Sequence, residues 1–287
     1  MKKAVLTVAH SVNLVQSISK GITDRELFFS YGDVIPDLTN YDTIYWMGGL
    51  YAAQLQELGF ASQLCSPGSA WLANLNPEFT GRKITAATFK EMPEFSDQMW
   101  VKPAEAKVKS LAPGRYSYSE LKDIFLTNSL SDDIHLQWTD SFLNLDYEHR
   151  FFIRNGEVIA GSPYLVKGAG FHPGIDSSEL FNAQEFAQHV ETSNVGDTPP
   201  AYVLDVALDM DRNEWLVVEA NRAWSSGFYG CDPMEALKAV ETSCSYTEDK
   251  WAWRSDPHLK ALVKDMAPMQ VVSAEEDHTG FVRYLKP

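Results

Sequence analysis

AYVLDVALDMDRNEWLVVEANRAWSSGFYG, Ala201 to Gly230, decides how this chain is read. Two β-rich runs, AYVLDVALD and EWLVVEANR, flank a polar turn from Met210 to Asn213, which is the pattern of a hairpin. Folded symmetrically about Arg212, the hairpin sets Asp205 opposite Glu219, with Asn221 on the same face as Glu219. Carboxylates opposed across neighbouring strands, with Cβ atoms about 5 Å apart, repel unless a cation or a proton lies between them. Carboxylate and amide oxygens are hard ligands, so Mg²⁺ is the natural cation, completed by water and phosphate oxygens. The alternative is an ordinary half-exposed sheet with both acids in solvent. Against it, Trp215, Val217, Glu219 and Asn221 alternate with Leu216, Val218 and Ala220, so both faces are largely apolar and a buried acid needs a reason.

Working outward, the hairpin is preceded by a helix, SSELFNAQEFAQHVETS (Ser177 to Ser193), and by a first hairpin, EHRFFI and EVIAGSPYLV joined at Arg154-Asn155-Gly156. Asn-Gly between β-type runs is a strong turn signal. A helix, DPMEALKAVETSC, follows it. Upstream lie the strand HLQWT, the capped helix SYSELKDIFLTNSL with Ser119 or a neighbour as its cap, and the strand QMWVKP. The N-terminal part reads as strand KAVLT, strand TIYWMGGL and helix LYAAQLQELG. This division predicts an α+β protein: a small α/β lobe over residues 1–80, a second lobe over 81–135, and a larger one over 136–287 that includes an unassigned tail.

Basic residues gather near the second strand group. Lys102 ends QMWVKP, and Lys107 and Lys109 follow in the loop; they read as solvated charges or as ammonium groups for triphosphate oxygens. Arg150 sits mid-strand and shares a face with Glu148. It is either half of a structural ion pair or an anion clamp.

Composition limits the field. The 287 residues carry 24 Lys+Arg and 39 Asp+Glu, a formal charge of −15, with 45% hydrophobic residues. Such a chain packs a core and is not disordered. Its acidity argues against a nucleic-acid partner, since phosphate neutralisation needs clustered cations. Cys65, Cys231 and Cys244 are odd in number without CxxC spacing, which disfavours a disulfide framework or a thiolate zinc site and points to a reducing cytoplasm. The Ala4–Ala9 run is too short for a secretory segment, and no apolar run reaches the roughly 20 residues that span a bilayer. The expectation is a cytoplasmic protein with no membrane partner.

WVKPAEAKVKS (Trp100 to Ser110), EHRFFI, YVLDVALD and VEANRAWSSGFYG together resemble the ATP-grasp enzymes, in particular the divergent clade marked by two arginines and a lysine. That clade includes the eukaryotic cell-division-cycle factor that assists translation-initiation assembly. The resemblance covers roughly the last two-thirds of the chain and implies ATP clamped between two α+β lobes. The implied reaction is ligation of a carboxylate to an amine through an acyl phosphate, extending to peptide or protein substrates. By the same resemblance Lys102 and Lys107 contact phosphates, Arg150 and Lys107 act in catalysis, and Gln137, Trp138 and Thr139 form the inter-lobe strand that meets adenine. Glu148 belongs to the nucleotide site, Asp205, Glu219 and Asn221 hold Mg²⁺, and Arg222 and Tyr229 contact substrate. Lys102 stands where the clade often has arginine, and the phosphate loop lacks a glycine-rich run. An ATP-binding assembly factor with little turnover and a phosphotransferase are the alternative functions.

Overall fold

A computed structural model describes residues 1–8, 12–105, 107–277 and 279–284, so Ala9 and Ala106 of the segments quoted above lie outside the described residues. The first lobe contains β1 (Lys2–Val8), α1 (Val12–Ile18), β2 (Glu26–Ser30), β3 (Val34–Pro36), β4 (Tyr41–Trp46), α2 (Gly49–Glu57) and two single turns, α3 (Trp71–Asn74) and α4 (Pro77–Thr80). β1 lies between β2 and β4 and runs parallel to both. Its last five residues, Ala4 to Val8, are all buried, as a parallel strand covered on two faces requires.

The second lobe is a four-stranded antiparallel sheet with one helix: β5 (Thr85–Thr88), β6 (Met99–Pro103), β7 (Gly114–Tyr116), α5 (Tyr118–Thr127) and β8 (His135–Thr139), in the spatial order β5-β8-β6-β7. α5 begins at a capping box in which Ser117 and Glu120 satisfy each other's backbone N–H, two residues before the serine favoured on sequence. Phe89, Val101, Leu121, Phe125 and Leu136 form this lobe's own core.

The large lobe comprises β9 (Leu145–Arg154), β10 (Glu157–Val166), β11 (Ala169–Gly170), α6 (Leu180–Ser193), β12 (Ala201–Asp209), β13 (Glu214–Asn221) and α7 (Pro233–Ser243). Its strands are ordered β11-β10-β9-β12-β13 and all pairs are antiparallel. Asn155 and Gly156 both have positive φ, 51° and 78°, as the two-residue hairpin turn demands.

The second hairpin differs from the symmetric expectation in one decisive detail. Next to the turn, Asp209 pairs with Glu214 and Val206 with Val217; beyond it, Asp205 pairs with Glu219, leaving Val218 as an extra residue. This bulge breaks the alternation expected for β13. Trp215, Val217 and Ala220 pack with Tyr202, Leu204 and Val206 beneath α6. Glu219 and Asn221 are thereby turned to the face that carries Asp205.

That other face shares a core with the first lobe: Phe152, Val203 and Trp224 pack with Val5, Trp46 and the buried side of α7. The tail, grouped with the large lobe on sequence, forms α8 (Pro257–Asp265), β14 (Gln270–Val272) and β15 (Phe281–Tyr284). α8 packs on α2, β14 runs parallel to β3, and β15 runs antiparallel to β2, so the tail completes the first lobe. QVV and FVRY are too short to show that allegiance by periodicity. Among the described residues no helix is long and apolar enough to cross a membrane.

Candidate active site

Three neighbouring strands bring one row of charge together. Register places Arg150 of β9 beside Asp205 of β12, and Asp205 beside Glu219 of β13. Arg150 grips Asp205 with both prongs, Nε donating to Oδ1 at 2.8 Å and Nη2 to Oδ2 at 2.7 Å. Its Nη1 donates to the Gly227 carbonyl at 3.3 Å. Asp205 is 0% exposed, and its Oδ2 also accepts from Asn221 Nδ2 at 3.1 Å. Burial works against the Arg150 charge, yet the carboxylate beside it outweighs burial and holds the guanidinium pKa above its usual value.

The next link crosses between lobes. Lys102, on β6 of the second lobe, donates to Glu219 Oε1 at 2.9 Å. Burial alone would raise the Glu219 pKa; the Lys102 charge, with hydrogen bonds from Asn221 and Lys102, brings it below the ordinary value. The opposed carboxylates inferred from the sequence are therefore real neighbours, and protein cations supply their counter-charges.

Glu148 sits two residues before Arg150 and accepts a hydrogen bond from the Tyr164 hydroxyl. Burial pushes its pKa up, and the negative charges of Asp205 and Glu219 add to that. Tyr164 and Tyr229 stack with ring centroids 5.2 Å apart, and the Arg150 guanidinium lies 5.4 and 5.0 Å from their centres. The loop carrying Tyr229 is pinned to β10 by Gly230, whose N–H donates to Ser162 Oγ at 3.0 Å. A Cβ at Gly230 would stand 2.8 Å from that oxygen and 2.9 Å from Phe171, so a side chain here would displace the Ser162 hydroxyl or the Phe171 ring.

Of the residues singled out on sequence, Lys102, Glu148, Arg150, Asp205, Glu219, Asn221 and Tyr229 thus converge. Lys107 stands exposed in the loop after β6. Arg222 lies at the end of β13, where Nη2 donates to the Glu105 carbonyl at 3.1 Å. Gln137, Trp138 and Thr139 form the end of β8, the last strand before the chain crosses to the large lobe. Gln137 and Trp138 are paired on both edges, with Ala86 and Thr85 of β5 and with Lys102 and Val101 of β6. Thr139 is paired on one edge only, with Trp100 of β6, and residues 140–144 carry the chain across to the large lobe. Gln137 Nε2 donates to the Ser69 carbonyl at 2.8 Å, Trp138 packs in the second-lobe core, and Thr139 Oγ1 accepts from Ser141 N–H. Sequence reasoning missed Tyr164 and Ser162. Extending the first hairpin outward from its Asn-Gly turn would have brought this part of β10 beside Glu148.

For a divalent cation the donor set is Glu219 and Asn221, with Asp205 alongside. Among the described residues no three His, Cys, Asp or Glu side chains are grouped so as to hold a metal ion. Asn221 donates from its amide nitrogen to Asp205 and to Glu219, and its Oδ1 accepts no hydrogen bond from the described residues. One carboxylate and one amide oxygen, completed by water and phosphate, suit Mg²⁺, which keeps much of its hydration. A hollow of about 570 Å³ on the second lobe, lined by Phe89, Tyr118, Lys122 and Leu126 among others, shares no residue with this cluster.

Two α+β lobes meeting over a charged row on the larger sheet, behind an α/β first lobe, define the ATP-grasp class. The chain belongs to the ATP-grasp domain, R2K clade family 2, whose family model matches residues 79–239. The fold is similar to that of the D-alanine-D-alanine ligase from Coxiella burnetii, at 9% identity over 85% of this chain and 95% of that one, with a TM-score of 0.52. A Bacillus anthracis D-alanine–D-alanine ligase complexed with ATP aligns over 85% of this chain and 97% of its own, at 14% identity and a TM-score of 0.45. Cdc123 from Schizosaccharomyces pombe aligns over 55% of this chain and 83% of its own, at 12% identity and a TM-score of 0.37. No curated protein sequence matches the chain.

Proposed function

We propose that this protein is an ATP-dependent carboxylate–amine ligase working through an acyl phosphate. The observation that carries the reading is the Arg150–Asp205–Glu219 row, tied to the second lobe by Lys102, on a chain of this family. In the first step a substrate carboxylate oxygen bonds to the γ-phosphorus of ATP as the bond to the β-phosphate oxygen breaks, releasing ADP. In the second, an amine nitrogen bonds to the acyl carbon, inorganic phosphate departs, and the amine gives up a proton.

The chain's own groups suit both steps. Lys102, released from Glu219, and Lys107 from the adjoining loop neutralise phosphate oxygens. Arg150 is locked by Asp205 and the Gly227 carbonyl, which leaves two of its five N–H groups, one on each terminal nitrogen, for charge developing on the transferring phosphoryl group. Mg²⁺, held by Glu219 and Asn221 with Asp205 beside them, would supply Lewis-acid stabilisation of the phosphate oxygens. Tyr229, 37% exposed over Arg150, forms a wall for the substrate.

Incubation with Mg-ATP, a panel of acids and a panel of amines tests the reading. The expected result is ADP, phosphate and amide in equal amounts. A stable phosphorylated product would mark a phosphotransferase, and nucleotide binding without ADP would mark an assembly factor. Glu219→Gln is expected to abolish turnover with the fold retained; wild-type turnover in this variant would remove Glu219 from the metal site.

A further inference from the structure

The chain enters the second lobe through residues 81–84 and leaves it through residues 140–144, and both crossings are fastened to one place, the turn at residues 210–213 that joins β12 and β13. At the first crossing Arg212 Nη1 donates to the Gly81 carbonyl at 2.8 Å. At the second, the Met210 N–H donates to the Asn144 carbonyl at 2.8 Å, and Asn144 Nδ2 donates to Asp211 Oδ1 at 2.9 Å. Asp209, whose side chain is 2% exposed, braces the turn: it accepts from the Asp211 N–H at 3.1 Å and lies 3.5 Å from Arg212 Nε. Arg82, in the first crossing, donates to the Thr80 carbonyl at 2.9 Å; burial pulls its pKa down to about 10, and the Asp209 charge opposes that. One buried carboxylate therefore serves an arginine of the crossing and an arginine of the turn.

Gly81 allows the close approach. Its φ is 65°, and a Cβ there would stand 2.6 Å from Leu216 of β13 and 2.9 Å from Arg212 Nη1, so a side chain would be strained and would push its neighbours aside. A body held at one point tilts in any direction, but one held at two turns about the line between them, and a few loop residues suffice to absorb the rotation. That line runs beside the turn, at the opposite end of the hairpin from Asp205 and Glu219. Four residues of strand, about 13 Å, separate Asp209 from Asp205, so a tilt of about 10° moves Lys102 by roughly 2 Å against Glu219.

We propose that the turn at residues 210–213 is the pivot of the second lobe and that Arg212 is a positioning residue: by holding Gly81 it sets the angle at which Lys102 meets Glu219 and the phosphates of ATP. The proposal rests on the proposed function only for the nucleotide between the lobes. The pivot itself needs no ligand.

Calorimetric titration of the full chain with Mg²⁺ and a non-hydrolysable ATP analogue reads the pivot through Lys102. Arg212→Gln is expected to weaken analogue binding at least fivefold in the wild-type background and less than twofold in a Lys102→Met background, because the contact it positions is then gone. The same loss in both backgrounds is the mark of a merely structural role and overturns the pivot, as does wild-type affinity in the single variant. Asn144→Ala, which removes a fastening at the other crossing, decides by the same comparison if Arg212→Gln does not fold. Failure of the wild type to bind the analogue removes the nucleotide reading, and small-angle scattering of the nucleotide-free chain then decides: a larger radius of gyration for the variant upholds the pivot, and an unchanged one overturns it.

Discussion

At the residue scale, the central fact is a guanidinium and a carboxylate sharing two hydrogen bonds out of water. Removing one partner leaves the other charged, buried and unmatched, a loss of about 3–5 kcal/mol, whereas replacing both by apolar groups of similar volume is often close to neutral. Arg150→Met is expected to lower unfolding free energy in urea by about that amount, and Arg150→Met with Asp205→Leu to regain most of it. A single-variant loss below about 1 kcal/mol would mean that the pair is solvated. Glu148 makes the opposite case, because burial raises its folded pKa above the ordinary 4.5. An acid with a raised folded pKa contributes stability that is full below the unfolded pKa and is lost as pH rises through the folded one. Glu148→Gln keeps an acceptor for Tyr164 without the charge, so its stability relative to wild type is expected to grow from pH 4 to pH 8. A difference independent of pH would contradict this.

At the scale of elements, β13 turns on one residue. Val218 is the surplus residue of the bulge, and it sends Trp215 and Val217 to the core while delivering Glu219 and Asn221 to the cleft. Deleting Val218 restores plain alternation and sends either the carboxylate or the apolar pair to the wrong face. Loss of nucleotide binding in a chain that still expresses is the expected outcome, read by titration with an ATP analogue; retained affinity would show that the strand can slip back. The same bulge explains what the sequence disclosed and withheld. Asp205 opposite Glu219 was legible because the apolar runs and polar turn bound the hairpin closely, but the symmetric folding reached the right pair without the bulge that produces it. Arg150, Glu148 and Lys102 were legible as charges out of place in β-type runs. HLQWT reads equally as a connecting strand or a central one, and only its partners β5 and β6 place it within the second sheet. Tyr164 carries no charge to draw attention in an apolar strand.

For the whole molecule, the second lobe has its own core while the first and large lobes share one, so relative movement falls between the second lobe and the rest. Lys102 to Glu219 is a charged bond across that boundary. Lys102→Met is expected to weaken ATP binding by about tenfold or more, the loss of a charge-assisted contact of roughly 1.5–3 kcal/mol, and to raise the radius of gyration measured by small-angle scattering without nucleotide. Unchanged affinity and unchanged scattering together would take Lys102 out of the nucleotide site.

β15 lies against β2, with Arg283 bonded to Glu26, although more than 250 residues of chain separate the two strands. A ribosome building this chain makes the sheet of β1, β2 and β4 early, yet the strand that covers its β2 edge emerges only after both remaining lobes have been translated. That edge stays open for most of synthesis, and the first lobe closes last.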